Sequence, residues 1–247
     1  MSAAVAWVSG AAVHESDVDA MEAGLRAGPV AATLPRAGTR EGRQLRRWLV
    51  QVLVAERLVE TAARERGLGS TGAPPVESLA PDRAALLGLG SVAADLLTRS
   101  AVARAVFVAV TADVRVDPAE VERFYGDNPE RYRVPEERVV RHPLRTLRRG
   151  ELTGPVEDAV FAARAGDLVG PVRSPLGVHT FEIVEVRPAR TKSLAEVAPS
   201  IEARLLSAAR RRAFTAWLDT HAATQVRLAP GFEHPGDPRQ PDNTHRH

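Results

Sequence analysis

The hydrophobic period changes twice along the chain, and this change limits the possible folds more than any other feature. Residues 1–133 are spaced mainly as helices, most clearly from Glu41 to Arg66, where apolar residues recur at helical intervals and Gly67 supplies a stop. Residues 134–187 alternate as strands do, and Leu194 to His221 returns to one amphipathic helix. The pattern predicts an α+β protein in which a mainly helical domain carries a small sheet-and-helix module.

The same pattern divides the chain into four predicted parts. These are a helical N-terminal domain (1–133), a sheet-and-helix module (134–187), a C-terminal helix (188–226) and a disordered tail (227–247). We expect the C-terminal helix to pack back on the helical domain, because Phe214, Trp217 and Leu218 form an apolar stripe that the small sheet cannot cover. The tail is dense in Pro, Gly, Asp, Asn and His and has no hydrophobic period, which is typical of disorder.

Local signals refine the N-terminal domain. The segment from Val5 to Val8 predicts a short strand, which a Ser-Gly pair would close. The apolar run from Ser91 to Val108 predicts one helix with Ser91 at its cap. Asp117 followed by Pro118 predicts the start of another helix, because aspartate caps helices and proline is favoured at the first helical position.

The composition excludes several kinds of chemistry. The chain has no Cys, which rules out disulfides, thiolate catalysis and cysteine-ligated zinc. The net charge is only +2, and no basic stretch is interleaved with stacking aromatic residues, so we expect no nucleic-acid partner. There is no phosphate-binding glycine motif and no Gly-x-Ser-x-Gly sequence. We therefore expect neither a cofactor nor a serine hydrolase.

The tail contains residue types that bind divalent metals. They are His234, Asp237, Asp242, His245 and His247. Their spacing matches no zinc motif, and a disordered tail would lose conformational entropy on binding a metal. We expect a solvated tail and no metal site.

The cellular location is also an expectation from the sequence. The first residues, from Met1 to Trp7, carry no Lys or Arg, and the apolar run there is short, so they do not look like an export signal. No stretch has 18 consecutive apolar residues, the length that suggests a membrane helix. We expect a cytoplasmic protein without a membrane span.

Five short motifs in the module carry a resemblance to a known family. They are Val139-Val140-Arg141-His142, Gly150-Glu151-Leu152, Val156-Glu157-Asp158-Ala159-Val160-Phe161, Ala165-Gly166-Asp167-Leu168-Val169-Gly170-Pro171-Val172 and Ser174-Pro175-Leu176-Gly177-Val178-His179. The set resembles the parvulin-type peptidyl-prolyl cis-trans isomerases of the PpiC/SurA-like group. The segment from Asp117 to Glu136 and the opening Trp7-Val8-Ser9-Gly10 are similar to the N-terminal domains of SurA-type chaperones.

The resemblance implies which residues form the site. His142 and His179 are the candidate catalytic pair, because the first and last strands of the parvulin module each bring a histidine to the active site. The candidate substrate-binding residues are Leu152, Val156, Ser174 and Leu176. Leu152 would be the remaining wall of the proline pocket, and Val156 stands where that pocket usually has an aromatic residue. The alternative interpretation is that the two histidines only bond each other inside the sheet.

The chain departs from the family between His142 and Gly150. Only Pro143 to Arg149 lies there, whereas a parvulin places two or three helices, a Gly-Gly-x-Leu-Gly loop and a further strand in this position. In the family, that piece carries the acid or thiol that faces the substrate peptide bond. We therefore expect a truncated parvulin-like module whose isomerase (rotamase) activity is weak or lost.

The resemblance favours a foldase or chaperone that binds extended, proline-containing or apolar segments of a client polypeptide. The alternative is a non-catalytic accessory protein for one specific cytoplasmic biosynthetic enzyme, which would bind a dedicated protein partner. The basic residues of the module leave two interpretations open, protection of a sheet edge or contact with an anionic partner. They are Arg138, Arg141, Arg145, Arg148 and Arg149.

Overall fold

The computed structural model describes residues 2–141, 144–175 and 177–237. The helices are α1 (Glu15–Ala27), α2 (Arg40–Arg66), α3 (Val76–Leu79), α4 (Arg83–Leu87), α5 (Ser91–Arg99), α6 (Ala101–Val110), α7 (Pro118–Asp127), α8 (Pro155–Ala162) and α9 (Leu194–Gln225). The strands are β1 (Ala4–Val8), β2 (Ala11–His14), β3 (Arg133–Val134), β4 (Glu137–Arg141), β5 (Arg145–Arg148), β6 (Leu168–Ser174), β7 (Gly177–Arg187), β8 (Arg190–Thr191) and β9 (Val226–Leu228). The fold is α+β, as predicted.

The chain forms two compact units. One consists of the residues up to Arg115 together with those from Leu205 onward, and the other is Val116–Arg204. The first boundary therefore falls before α7, whereas the sequence pattern placed it at residue 133. Helix α7 groups with the sheet that follows it, since helical spacing alone does not show which unit a helix contacts.

The first unit combines a helical core with a three-stranded antiparallel sheet in the order β2-β1-β9. Thr39 caps the start of α2, and Gly67 ends it in the left-handed conformation with φ of 63°. Phe214 of α9 is fully buried, and its ring centroid lies 5.1 Å from that of Phe107 on α6. The C-terminal half of α9 is thus part of this helical core, together with Leu218.

The C-terminal segment differs from the predicted disordered tail (227–247). Val226–Leu228 pairs antiparallel with β1 as strand β9. Beyond it, Phe232 packs against the apolar core of the first unit, and the Nε of Arg47 donates a hydrogen bond to the Gly231 carbonyl at 3.1 Å. Backbone pairing along a strand edge needs no hydrophobic period, so composition alone misses this strand. Residues 238–247 of the tail lie outside the described residues.

The apolar run from Ser91 to Val108 forms two helices instead of the predicted single helix. Ser100 lies between them in an extended conformation (φ −112°, ψ 113°), and its Oγ accepts a hydrogen bond from the Ala103 amide at 3.1 Å. A serine that caps a helix start interrupts a helix that apolar spacing would continue. Asp117 caps α7 as expected and accepts a hydrogen bond from the Ala119 amide at 2.9 Å.

The second unit is built on a four-stranded antiparallel sheet in the order β5-β4-β7-β6. Helix α8 covers one face, and the buried core between them consists of Val140, Leu147, Val156, Val160, Phe161, Val169, Phe181 and Ile183. A separate two-stranded sheet joins β3 to β8. Within the described residues of both units, no helix is long and apolar enough to cross a membrane.

Strand β5 lies between His142 and Gly150, the segment in which the resemblance to the parvulins predicts that a strand is missing. It pairs antiparallel with β4 and places Leu147 opposite Arg138. Leu147 is buried in the core, while its neighbours Thr146 and Arg148 are exposed. One apolar residue among arginines is enough to give a strand an inner and an outer face. The module is therefore shortened, but its sheet keeps four strands.

Candidate functional site

A cavity of about 670 Å³ opens at the edge of the core of the second unit, where β6 turns into β7. Its apolar floor consists of Leu152, Val156 and Phe181, and its main polar groups are Ser174 and His179. The other described residues that line it are Arg145, Glu151, Thr153, Pro175, Val178 and Thr180. We call this space the first cavity.

Strand β7 brings an aromatic ring and a histidine to the first cavity. His179, Phe181 and Ile183 point to the face that α8 covers, since successive side chains of a strand alternate between its faces. Phe181 and Ile183 are buried in the core, whereas His179 is half-buried. The rings of His179 and Phe181 are nearly parallel, at 4°, with their centroids 6.0 Å apart. The cavity is therefore a continuation of the core towards solvent.

The turn between β6 and β7 holds His179 in place. Its Nε2 lies 2.7 Å from the Oγ of Ser174, within hydrogen-bond distance. Ser174 pairs with Gly177 across the turn, and the φ of 123° at Gly177 favours glycine. Within the described residues, the Nδ1 of His179 has no hydrogen-bond partner, which leaves that ring atom available to a ligand.

The loop that leads into α8 places Leu152 and Val156 at the cavity. Two carboxylates hold this loop, because Glu151 and Glu157 each accept a hydrogen bond from a backbone amide at 2.9 Å. Gly154, with φ of 66°, turns the chain into the helix. Val156 then lies buried in the first turn of α8, and Leu152 is half-buried beside it.

The rim of the first cavity combines charged and apolar side chains. The Arg145 side chain makes no hydrogen bond or ion pair within the described part of the chain, and Glu151 is the carboxylate that lines the same cavity. Val178 lines the cavity and is 61% exposed, and Leu144, next to Arg145 in sequence, is 71% exposed. Exposed apolar side chains around an apolar floor are typical of a surface that binds another molecule.

Most arginines of the module are paired with glutamates. Arg138 is only 4% exposed, bonds Glu136 at 2.6 Å and donates to the Phe161 carbonyl at 2.8 Å. Desolvation by burial opposes ionisation of Glu136, but hydrogen bonds from Arg149 and Arg138 outweigh it and hold the pKa of Glu136 below its ordinary value. Further pairs are Arg141–Glu182, Arg148–Glu137 and Arg187–Glu185. Arg138 is thus a core residue and does not protect a sheet edge.

Four of the six predicted site residues line the first cavity together: His179, Leu152, Val156 and Ser174. The remaining two, His142 and Leu176, lie outside the described residues. Because His142 is not described, the structure does not test whether the two histidines bond each other. The observed partner of His179 is Ser174. The assigned roles of the six residues remain predictions.

Seven of the described lining residues were not predicted from the sequence as part of the site, among them Phe181, Arg145 and Glu151. Phe181 follows His179 by two positions in a strand, so the strand period could have identified it as the aromatic residue that Val156 does not provide. Arg145 reaches the cavity only because β5 pairs with β4. No signal within the sequence near Arg145 indicates that pairing.

One known family model matches a segment of the second unit. Residues 142–199 match the family model of the PPIC-type PPIASE domain, and every described residue that lines the first cavity lies inside this range. This segment is similar to PPIC-type domains. The predicted resemblance to the PpiC-type parvulins is confirmed over this segment.

Other comparisons add context. Residues 4–41, at the N-terminus of the first unit, match a family of unknown function, DUF7158. Two solved structures of the SurA-like chaperones PEB4 and Cj1289 from Campylobacter jejuni are similar to the chain. One is 17% identical, with a TM-score of 0.40, and the match spans 90% of this chain and 96% of the chain in that structure. The other is 10% identical, with a TM-score of 0.44, and the match spans 92% of this chain and 99% of the chain in that structure. No curated protein matches the chain.

Proposed function

We propose that the PPIC-type domain binds an extended polypeptide segment and seats a proline ring in the first cavity, with weak isomerase activity. The observation that supports this proposal is the first cavity itself. It has an apolar floor of Leu152, Val156 and Phe181, with the His179–Ser174 pair beside it, inside the segment that matches the PPIC-type family. A proline ring is apolar and flat-sided, which suits such a floor.

Isomerisation of a peptide bond before proline breaks no bond but crosses a barrier of roughly 18–20 kcal/mol. A catalyst must therefore hold the ring in an apolar slot and bind the twisted amide more tightly than the planar one. The imidazole of His179, oriented by Ser174, would supply a hydrogen-bonding group next to that amide. The apolar floor would hold the proline ring, and the His179–Ser174 pair would bond the amide before it.

The proposal of weak activity rests on the shortened connection after β4. On the side of β5, the described residue that lines the first cavity is the charged Arg145, so the described residues form no apolar wall there. A slot with one wall open binds the ring less tightly and lets water reach the amide, which reduces preferential binding of the twisted state. Binding of a client segment survives this loss better than catalysis does, because binding does not require preference for the twisted state.

The test is exchange spectroscopy by NMR on peptides that contain one X-Pro bond, with wild-type protein, His179→Ala and a control. We expect saturable chemical-shift changes with the wild type, a small acceleration of cis/trans exchange, and a roughly tenfold or greater loss of that acceleration in His179→Ala. Val184→Ala is the matched control, because Val184 lies on the same strand, faces away from the cavity and is partly exposed.

Three results would contradict the proposal. Acceleration as large as that of an intact parvulin, abolished by His179→Ala, would contradict weak activity. If no proline peptide binds, client binding in the first cavity is wrong, and the accessory protein with one dedicated partner becomes the better interpretation. A loss of binding in Val184→Ala equal to that in His179→Ala would show that the first cavity is not the binding site.

A further inference from the structure

A second cavity, of about 400 Å³, lies against the outer face of the four-stranded sheet. Glu137 and Arg148 line it and pair with each other across β4 and β5. Their neighbours Arg138 and Leu147 point to the opposite, buried face, because strand side chains alternate. The second cavity is therefore separate from the first, and its function does not depend on proline binding.

The second cavity is strongly basic. Arg131, Arg133, Arg148 and Lys192 line it, and Glu137 is the one carboxylate among the described lining residues. Glu137 is already bonded to Arg148 at 3.0 Å and lies 3.5 Å from Arg187.

The other cations have little compensation. Arg133 lies 3.6 Å from Glu130, and both side chains are highly exposed, so this pair contributes little. The Lys192 ammonium makes no hydrogen bond or ion pair within the described part of the chain. At least two positive charges in the cavity are therefore available to a ligand.

Backbone contacts hold the Lys192 side of the cavity in place. Strands β3 and β8 pair Arg133 with Thr191, and the Lys192 amide donates to the Tyr132 carbonyl at 2.8 Å. The hydroxyl of Tyr125 donates to the Lys192 carbonyl at 2.9 Å, and the rings of Tyr125 and Tyr132 stack with centroids 5.0 Å apart. The base of the Lys192 side chain is thus fixed before any ligand binds, which lowers the entropy lost on binding.

The charge distribution indicates which anion the cavity fits. Residues 116–204 contain 14 Lys and Arg against 15 Asp and Glu, so the unit has almost no net charge and the basic cavity is a local feature. Nucleic acid binding needs an extended basic surface and exposed aromatic rings, whereas Tyr132 is already stacked on Tyr125. A short acidic peptide segment matches a compact cluster of Arg and Lys. We propose that the second cavity binds the carboxylates of an acidic polypeptide segment.

Lys192 allows a direct test because it is the only lysine in the chain. Reductive methylation of the full chain with ¹³C-formaldehyde, which keeps the positive charge, labels only the Lys192 amine and the N-terminal amine. We expect the Lys192 methyl signal to shift saturably with a Glu-Gly repeat peptide and not with the matching Gln-Gly peptide. The N-terminal signal should not move. The shift should weaken as salt increases, because exposed charge pairs are screened.

Affinities of charge variants for the fluorescein-labelled Glu-Gly peptide, measured by anisotropy, complete the test. Lys192→Gln and Arg133→Gln should each weaken binding about fivefold, the effect of losing one partly exposed charge contact. Arg173→Gln is the matched control: it removes an exposed arginine of β6 that lines neither cavity, and should leave affinity unchanged.

The proposal is overturned by an unmoved Lys192 signal, by an equal loss in Arg173→Gln, or by equal shifts with free glutamate at the same carboxylate concentration. It is also overturned if a single-stranded oligonucleotide binds more tightly than the peptide and this binding depends on Lys192. Because the first cavity is on the other face of the sheet, none of these results bears on proline binding.

Discussion

Arg138 is a cation buried in the second unit, and its surroundings explain how a charge is tolerated there. Its guanidinium bonds the Glu136 carboxylate and the Phe161 carbonyl, and it lies 5.2 Å above the centre of the Phe161 ring. Arg149 lies 4.7 Å above the same ring and bonds the same glutamate. Removing one partner of a buried charge is strongly destabilising, because it leaves the remaining polar group uncompensated.

At the residue scale, we predict that Arg138→Ala lowers the free energy of unfolding by roughly 3 kcal/mol, because it leaves Glu136 and the Phe161 carbonyl without this partner in a buried site. Urea unfolding followed by circular dichroism measures the change. Arg141→Ala on the same strand is the control and should cost less than about 1 kcal/mol, because the Arg141–Glu182 pair is exposed. Equal effects of the two variants would contradict the buried role of Arg138.

At the element scale, the start of α9 shows how one side chain can hold a helix end. The carboxylate of Glu196 accepts hydrogen bonds from the Ser193 amide at 2.7 Å and from Arg190 at 2.8 Å. The Ser193 Oγ in turn accepts a bond from the Glu196 amide at 3.4 Å. This reciprocal arrangement satisfies backbone amides that a helix start leaves without partners. The Ser193 amide, Arg190 and the Ser193 hydroxyl together lower the pKa of Glu196 to about 2.

We predict that the carboxyl ¹³C signal of Glu196 titrates near pH 2, well below the ordinary value for glutamate. Because the pKa is lower in the folded state, the stabilisation by Glu196 is complete above its ordinary pKa and is lost as pH falls towards 2. Ser193→Ala should raise the pKa, since it removes the hydroxyl that bonds the carboxylate. A titration of Glu196 at its ordinary pKa in the wild type would contradict the arrangement.

At the scale of the whole molecule, each unit has a core of its own, and α9 supplies residues to that of the first unit. Phe214 is fully buried against Phe107, and Leu218 one turn later belongs to the same cluster. The first unit also contains all three tryptophans: Trp7, Trp48 and Trp217. Tryptophan fluorescence therefore reports on this unit, while the two cavities proposed to bind polypeptide lie in the other.

We predict that Phe214→Ala lowers the unfolding free energy of the first unit by about 3–5 kcal/mol, the usual cost of removing a buried phenylalanine. The measurement is urea unfolding followed by tryptophan fluorescence. Thr220→Ala is the control, because Thr220 lies on the same helix and is exposed, and its effect should be within about 0.5 kcal/mol. An unchanged midpoint in Phe214→Ala would show that α9 does not hold this core together.

The sequence by itself determined the features that depend on neighbouring residues. Helical spacing and Gly67 define α2, and Asp117 with Pro118 starts α7 as predicted. The same local motifs identified the family and placed His179 beside the pocket residues Leu152 and Val156. These features were predictable because periodicity, turn chemistry and motif spacing are local properties.

Only the tertiary structure decided the features that depend on partners far along the chain. Strand β5 forms because Leu147 finds the core beneath β4, and β9 forms because β1 offers an edge more than two hundred residues away. The burial of Arg138, the aromatic floor under His179 and the basic cavity around Lys192 likewise arise from elements that pack together. A contact between distant residues leaves no local pattern, so its consequences for burial and charge appear only when the chain has folded.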